Sequence, residues 1–182
     1  DSPQRVKPQC PVQGRCSGCP LMILKPEAQL QVKRELVQEA LIKYAGLPRG
    51  KVQTVIARPS GLGYRNQCKL PIREERGRLV NGLFEEGSNR VMPIAHCLIH
   101  DPDLEALRKQ ILALANQFRL KAYDPKKGTG LRTLVLRGFE GQYQCVLVSG
   151  EDPLPKGFIE QLKAIPGMTC LLQNINPDNR PR

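Results

Sequence analysis

Apolar residues recur at helical spacing along the stretch from residue 26 to residue 44. Charged residues stand between them, and this pattern predicts one amphipathic helix. Pro26 is suited to the first turn of the helix, and Gly46 is placed to end it. The apolar positions are Leu30, Val37, Leu41 and Tyr44.

Start signals predict two further helices. Residues 101–118 open with Asp101 as the N-cap and Pro102 at the first helical position, and apolar residues then follow on one face. The opposite face carries Arg108, Lys109 and Gln117 and is expected to face solvent. A shorter helix is predicted over residues 155–165.

Alternating residues bounded by turn signals predict the strands. Pro71 lies within one of them and indicates an edge strand or a strand end, because proline cannot donate to a strand ladder. Glu140-Gly141 predicts a hairpin turn, and the first strands predict an antiparallel meander. The fold class is therefore α+β, a mainly antiparallel sheet with packed helices, preceded by an irregular Cys-rich loop. The predicted strands cover residues 52–57, 67–72, 79–85, 90–94, 131–138, 142–149 and 168–175.

The excess of basic residues narrows the class of binding partner. The 182 residues include 28 Lys and Arg against 17 Asp and Glu, a formal net charge of +11. Such an imbalance favours a polyanionic partner, and nucleic acid is the first expectation. No apolar run approaches the roughly 20 residues that a membrane span needs. The chain opens without the apolar stretch of a secretory signal, so the predicted compartment is the reducing cytoplasm.

The spacing of the cysteines predicts a metal centre. Seven cysteines are an odd number, which argues against a complete disulfide framework. Cys10, Cys16 and Cys19 share a loop rich in Gly and Pro, where thiolates can converge on one centre. Cys97 is the candidate for a fourth ligand, and His96 is its alternative. Cys68, Cys145 and Cys170 lie in predicted strands and are expected to act as small apolar residues.

Both zinc and an iron–sulfur cluster accept four thiolates. Three ligands in one loop and one remote ligand favour a 4Fe–4S cluster, because zinc sites more often use two short pairs of ligands. Spacing alone leaves zinc open. The corresponding division of the chain is a cluster loop over residues 1–25 and an α+β domain over residues 26–182, with the cluster completed by Cys97.

An ordered set of motifs spans nearly the whole chain. The motifs are Cys10-x5-Cys16-Ser17-Gly18-Cys19, Gln29-Leu30-x2-Lys33, Gly63-Tyr64-Arg65-Asn66, Gly82-Leu83-Phe84, Ile94-x2-Cys97, Leu131-Arg132-x4-Arg137 and Asn174-Ile175-Asn176. In order and spacing, this set resembles the bacterial RNA uracil-5-methyltransferases, with its closest match in the branch that modifies 23S rRNA and carries a 4Fe–4S cluster. Ser17, Pro20 and Thr133 depart from the residues that are usual there.

The resemblance implies the central part of a longer enzyme. An N-terminal TRAM domain and a C-terminal domain that binds S-adenosylmethionine are expected to lie outside this chain and to be its partners in the same protein. The implied reaction adds a cysteine thiolate to uracil C6, transfers a methyl group from S-adenosylmethionine to C5, and removes the C5 proton. We find no cofactor loop and no nucleophile motif here, so no catalytic residue is assigned and the fragment alone is expected to be inactive.

Basic and aromatic residues predict where RNA binds. Arg and Lys pair with phosphates, and a tyrosine ring offers a stacking surface for a splayed base. The alternative is an exposed strand edge that charges keep soluble. The predicted RNA contacts are Tyr64, Arg65, Asn66, Lys69, Arg132 and Arg137.

Two further alternatives concern the whole chain. A zinc-stabilised nucleic-acid-binding module without enzymatic activity fits the same cysteines and the same charge. A ferredoxin-like electron carrier fits poorly, since such carriers are usually small and acidic. Within the methyltransferase interpretation the cluster is expected to be structural, because methyl transfer from S-adenosylmethionine needs no electrons.

Overall fold

The computed structural model describes residues 2–58 and 60–177. The chain divides into two compact units, one up to Gly61 and one from Leu62 onward. This division differs from the predicted one at residue 25, because it places the first helix with the Cys-rich segment. Asp1 and residues 178–182 of the predicted parts lie outside the described residues.

In the first unit, the Cys-rich segment folds back on itself ahead of the first helix. The amide of Val6 donates to the carbonyl of Ile23 at 2.8 Å, and that of Lys25 donates to the carbonyl of Gln4 at 2.9 Å. A short 3₁₀ helix, Pro20–Ile23, directly follows Cys19. Tight turns account for most of the segment, which confirms its predicted irregular character.

Helix α1 spans Pro26–Ala45, as predicted, with Pro26 in its first turn. Gly46 ends it in the left-handed region at a φ of 61°, which glycine adopts without a Cβ penalty. The apolar positions of this helix are only partly covered, since Leu30 and Leu41 are half-buried. Val37 and Tyr44 are 51% and 79% exposed, and the buried residues of α1 are Ala28 and Gln38.

The strand predicted over residues 52–57 is wrong, since this stretch contains no strand. Side chains of α1 hold the segment that leads into it. The Oε1 atom of Gln38 accepts from the amide of Gly50 at 2.8 Å, and Nε of Arg34 donates to the carbonyl of Val52 at 3.0 Å. These side-chain bonds replace part of the ladder that a strand would need.

The described residues of the second unit form one six-stranded sheet and two helices. The strands lie in the order β3-β2-β1-β4-β5-β6, and β1, β2 and β3 form the predicted antiparallel meander. The elements in chain order are β1 Gln67–Glu75, β2 Arg78–Phe84, β3 Val91–Pro93, α2 Pro102–Gln117, β4 Leu131–Phe139, β5 Gln142–Ser149, α3 Lys156–Lys163 and β6 Met168–Ile175.

The fold is α+β with a mixed rather than wholly antiparallel sheet. Strands β5 and β6 pair in parallel because α3 forms the crossover between them. The turn at Glu140 and Gly141 has positive φ at both residues, as a tight two-residue hairpin requires. At α2, the side chain of Asp101 accepts from the amides of Asp103 and Leu104, which confirms the predicted N-cap.

Helices α2 and α3 pack on one face of this sheet. Alternate residues of the central strands point toward them and are almost fully buried, and the rings of Phe118 and Phe158 meet at 5.7 Å between centroids. The other face of the sheet carries exposed and half-buried side chains, and we refer to it as the open face. The core includes Leu70, Ile72, Leu104, Ile111, Leu134, Leu136, Leu147 and Leu162.

Strand β1 is central, so the edge position predicted from Pro71 is wrong. Its residues 67–71 pair with β4, and its residues 72–75 pair with β2. Pro71 is thus the last residue of β1 that pairs with β4, and the next residue pairs with β2. None of the described helices is long and apolar enough to cross a membrane.

Candidate nucleic-acid interface and Cys97 loop

A row of polar side chains crosses the open face where β1, β4 and β5 meet. Gln67 pairs with Arg137, and Arg137 pairs with Gln144 on its other side. The Nε of Arg137 donates to Oε1 of Gln67 at 3.2 Å, and Nη1 donates to Oε1 of Gln144 at 2.9 Å. Arg137 is exposed, so two glutamines orient a guanidinium that still faces solvent.

Two more predicted cations lie beside this row. Strand alternation places Arg65, Gln67 and Lys69 on the open face, and Lys69 is exposed. Arg65 is anchored by its backbone, which donates to the carbonyl of Ile99 at 2.7 Å and accepts from the amide of Asp101 at 3.0 Å. Exposed cations on a strand surface can pair with phosphates.

The remaining predicted RNA contacts lie elsewhere. Tyr64 and Asn66 are exposed and alternate with Arg65, which places them on the opposite side of the strand. Arg132 is five residues from Arg137 along β4, roughly 16 Å away. Its guanidinium lies 4.7 Å from the centre of the Tyr123 ring, and its Nη1 donates to the carbonyl of Asn176 at 3.0 Å. Arg132 therefore stabilises the segment that directly follows β6.

Behind the open face, a buried ionic network joins α2 to the loop that carries Cys97. Arg108 is only 1% exposed, so its predicted solvent position is wrong. Its guanidinium binds both carboxylate oxygens of Glu105, the Oδ1 atom of Asn81 and the carbonyl of Ala95. A buried guanidinium needs such partners, because desolvation of an unpaired charge is costly.

Glu105 links this network to Cys97. Its Oε1 accepts from the amide of Cys97 at 3.2 Å, and its Oε2 lies 2.9 Å from Nδ1 of the buried His100. His96 is half exposed, and its Nδ1 lies 3.5 Å from the same carboxylate. One carboxylate on the first turns of α2 therefore fixes the loop around Cys97.

The network also sets the charge of its members. Burial raises the pKa of Glu105, but hydrogen bonds from His100 and Arg108 outweigh it and lower the pKa to about 2. Burial lowers the pKa of His100, yet its bonds to Cys97 and Glu105 raise it to about 9. Burial of the Cys97 thiol is likewise outweighed by the hydrogen bond and charge of His100, so the pKa of Cys97 is lowered. A thiolate, the form that binds metals, is favoured there.

Three further candidate ligands lie in the first unit. Cys10, Cys16 and Cys19 are half-buried, and none of them forms a disulfide. The amide of Gly18 donates to the Sγ of Cys16 at 3.4 Å. Among the described residues, however, no three His, Cys, Asp or Glu side chains are gathered as a metal site. The four candidate cysteines therefore fit a thiolate-bound metal centre only in the chemistry of their side chains.

Cys68 and Cys145 differ from these thiols, as predicted. Both are buried in the sheet, and burial raises the pKa of Cys68 to about 11 and that of Cys145 to about 12. They are therefore poor ligands at neutral pH. Cys170, on β6, is half-buried rather than enclosed in the core.

Sequence reasoning missed the partners of the predicted residues. The sequence alone does not single out Gln67 and Gln144, because only the strand register shows that they flank Arg137. Glu105 and Arg108 fall on a helix whose charged positions usually face solvent. Their spacing of three residues is consistent with an ion pair, but it does not indicate burial.

Comparisons with known proteins show what the chain is similar to. The chain is 34% identical to an uncharacterized RNA methyltransferase of Halalkalibacterium halodurans, over 97% of this chain and 40% of that protein. It is 32% identical to an uncharacterized RNA methyltransferase of Bacillus cereus, over 96% of this chain and 40% of the relative. No protein-family model matches the chain.

A solved structure has the same fold. It is the Pyrococcus abyssi tRNA (uracil-54, C5)-methyltransferase in complex with S-adenosyl-L-homocysteine, with a TM-score of 0.66 and 22% identity, over 100% of this chain and 40% of that chain. The chain is thus similar to RNA methyltransferases over nearly its whole length, and it shares its fold with this solved enzyme. These similarities support the family resemblance predicted from the motifs. The chain spans about 40% of the length of these RNA methyltransferases.

Proposed function

We propose that this chain is the RNA-binding central part of an S-adenosylmethionine-dependent methyltransferase that forms 5-methyluridine in 23S rRNA. The observation that carries the proposal is the guanidinium of Arg137, oriented by two glutamines on the open face of a methyltransferase-family fold. S-adenosylmethionine supplies the methyl group and is bound outside the chain, which alone does not methylate RNA. The cytoplasm is the compartment in which the protein meets this substrate.

The open face supports RNA binding through its charge and its shape. Arg65, Lys69 and Arg137 present cations along neighbouring strands, and Gln67 fixes the direction of one of them. Oriented guanidinium groups can pair with a phosphate through two hydrogen bonds. Tyr64 and Asn66 complete the proposed contacts from the other side of the strand. An RNA contact of Arg132 stays a prediction, since its guanidinium bonds to the carbonyl of Asn176 and stacks on the ring of Tyr123.

We also propose that Cys10, Cys16, Cys19 and Cys97 ligate a 4Fe–4S cluster with a structural role. The support is the chemistry of the thiols: the Gly18 amide bonded to Cys16, and the lowered pKa of Cys97 beside His100. Cys68 and Cys145 are not proposed as ligands, because both are buried in the sheet. Iron, acid-labile sulfide and zinc are to be measured on protein purified without oxygen. About four irons and four sulfides per chain support the cluster, whereas about one zinc supports a zinc-stabilised module.

RNA binding by the chain is tested by titrating labelled single-stranded fragments of 23S rRNA at several salt concentrations. A contact with phosphates predicts that affinity falls steeply as salt rises. Transfer RNA is the comparison ligand. Equal or tighter binding of transfer RNA, with methylation of transfer RNA by the full-length protein, would contradict the assignment to 23S rRNA.

A further inference from the structure

A slot opens along one edge of β1 in the second unit. It has a volume of about 360 Å³ and is lined by the segment 65–70 of the chain, with Leu83 of β2 and His100 opposite. This volume is at the small end of the roughly 300–1,000 Å³ of ligand pockets. It suits a single small planar group rather than a large ligand.

Two changes of strand partner create the slot. Strand β1 pairs with β2 only from Ile72 onward, while β2 beyond Asn81 pairs with β3. At Gly82 the approach of β3 is so close that a Cβ would lie 1.8 Å from the carbonyl oxygen of Met92. Glycine therefore allows β2 to lean toward β3 and away from β1, and a gap is left between β1 and Leu83.

The backbone of β1 points hydrogen-bonding groups into this gap. The carbonyl of Asn66 accepts from the amide of Gly138, so even-numbered residues here bond to β4. Odd-numbered residues face the other way, as the bonds of Arg65 to Ile99 and Asp101 show. Among the described residues, no strand pairs with residues 67–71 on that side. The amide and carbonyl groups of Gln67 and Lys69 are thus presented at the slot.

Pro71 fits the same pattern. It is the next odd-numbered residue, and the amide hydrogen that it lacks would have pointed toward the slot side. Since that hydrogen would not have faced β4, proline removes no hydrogen bond between β1 and β4, although β1 is central in the sheet. Its position marks the end of the open edge.

The walls of the slot combine two chemistries. Cys68, Leu70 and Leu83 supply apolar surface at its floor, whereas Arg65 and Lys69 place cations at its rim. Apolar surface, an alternating row of donors and acceptors, and nearby cations match the ring, the edge and the phosphate of an unpaired nucleotide.

We propose that the slot binds one unstacked nucleobase of single-stranded RNA, with its edge on the backbone of Gln67 and Lys69 and its phosphate at the rim cations. This inference rests on the proposed RNA-binding function and assigns a base-binding pocket to it. A base held in this way is recognised by contacts that Lys and Arg pairing with phosphate does not provide.

The test compares oligouridylate of about eight nucleotides with an abasic ribose-phosphate chain of the same length. We expect the complete chain to bind the abasic ligand about tenfold more weakly, which is typical for loss of base contacts. Leu83→Trp, which fills the slot, is expected to abolish the difference between the ligands. Phe84→Trp is the matched control, since Phe84 is exposed on the adjacent position of the same strand, and it is expected to keep the tenfold difference.

The outcomes separate the two proposals. Salt-dependent binding with the same base dependence in the wild type and in Leu83→Trp overturns the slot and leaves RNA binding intact. No binding of oligouridylate or 23S rRNA fragments at low salt overturns RNA binding and the slot together. Photocrosslinking of 4-thiouridine RNA to the wild-type chain requires no folded variant. Crosslinks at Cys68, Leu70 or Leu83, which form the floor of the slot, support the slot, and their absence there overturns it.

Discussion

Gln67 on β1 accepts a hydrogen bond from the Nε of Arg137 on β4, at 3.2 Å across the open face. The pair orients a solvent-facing guanidinium without neutralising it, since glutamine carries no charge. In the proposed interface the glutamine is therefore a positioning residue, and the arginine is the phosphate contact.

Replacing this glutamine separates orientation from charge. Gln67→Ala is expected to weaken binding of a 23S rRNA fragment about threefold, since it removes one solvent-exposed hydrogen bond that orients the Arg137 guanidinium. The salt dependence is expected to stay the same, because no phosphate contact is removed. Titrations at four salt concentrations measure both quantities. Gln142→Ala, an exposed glutamine on β5, is the control, and a changed salt slope in Gln67→Ala would show that the pair acts otherwise.

The regular elements of this fold are well predicted from the sequence because local signals agree at their ends. For α1 the proline at its start and the glycine after its end fix the boundaries, and β5 and β6 follow from alternation between turns. The parallel pairing of β5 with β6 depends on the α3 crossover, which periodicity alone does not reveal.

The site was harder to predict, because its geometry depends on pairings distant in sequence. The pattern of α2 assigns Arg108 to solvent, and only the buried carboxylate of Glu105 explains why a guanidinium lies in the core. Pro71 predicts an edge strand or a strand end, yet β1 is central, and on its β2 side only residues 67–71 lack a paired strand among the described residues. No residue pattern in one strand shows where its neighbour changes partner.

The buried network predicts a large stability effect at Arg108. Arg108→Met is expected to lower the free energy of unfolding by about 3–5 kcal/mol, because it leaves the Glu105 carboxylate buried without its guanidinium partner. Urea denaturation followed by circular dichroism measures the loss. Lys109→Met, at the exposed neighbouring position of α2, is expected to change stability by less than about 0.5 kcal/mol. Equal effects in the two variants would contradict the described network.

The ligand assignment predicts a contrast between two cysteines. Cys97→Ser is expected to lose the cluster and its iron, since serine is a poor ligand for this centre. Cys145→Ser is expected to keep the iron, because the thiol of Cys145 is buried and its pKa of about 12 keeps it protonated. Iron and sulfide analysis with visible absorption compares the variants. Similar loss of iron from both would refute the assignment.

His96 provides a second check on the same centre. His96→Gln is expected to retain iron, because the thiol of Cys97 rather than the neighbouring imidazole is the proposed ligand. The side chain of His96 is half exposed and lies at the outer side of the Glu105 carboxylate. Loss of iron from His96→Gln together with its retention in Cys97→Ser would make the histidine the ligand.

Arg132 is expected to act on stability rather than on RNA. Arg132→Ala removes the stacking on Tyr123 and the bond to the carbonyl of Asn176, at a cost of about 1–2 kcal/mol. RNA affinity is expected to change less than twofold. Thermal unfolding and RNA titration are to be made on the same preparation. A stable variant with strongly reduced affinity would establish the RNA contact predicted from sequence.

The most direct measurement is the salt dependence of 23S rRNA fragment binding by the wild-type chain and by the double variant Lys69→Met/Arg137→Gln. Each lost phosphate contact lowers the slope of log affinity against log salt by about one. The double variant is therefore expected to bind more weakly at low salt, with a slope reduced by about two, while Lys126→Gln/Lys127→Gln at an exposed turn matches the wild type. An unchanged slope in the double variant would contradict RNA binding through the open face.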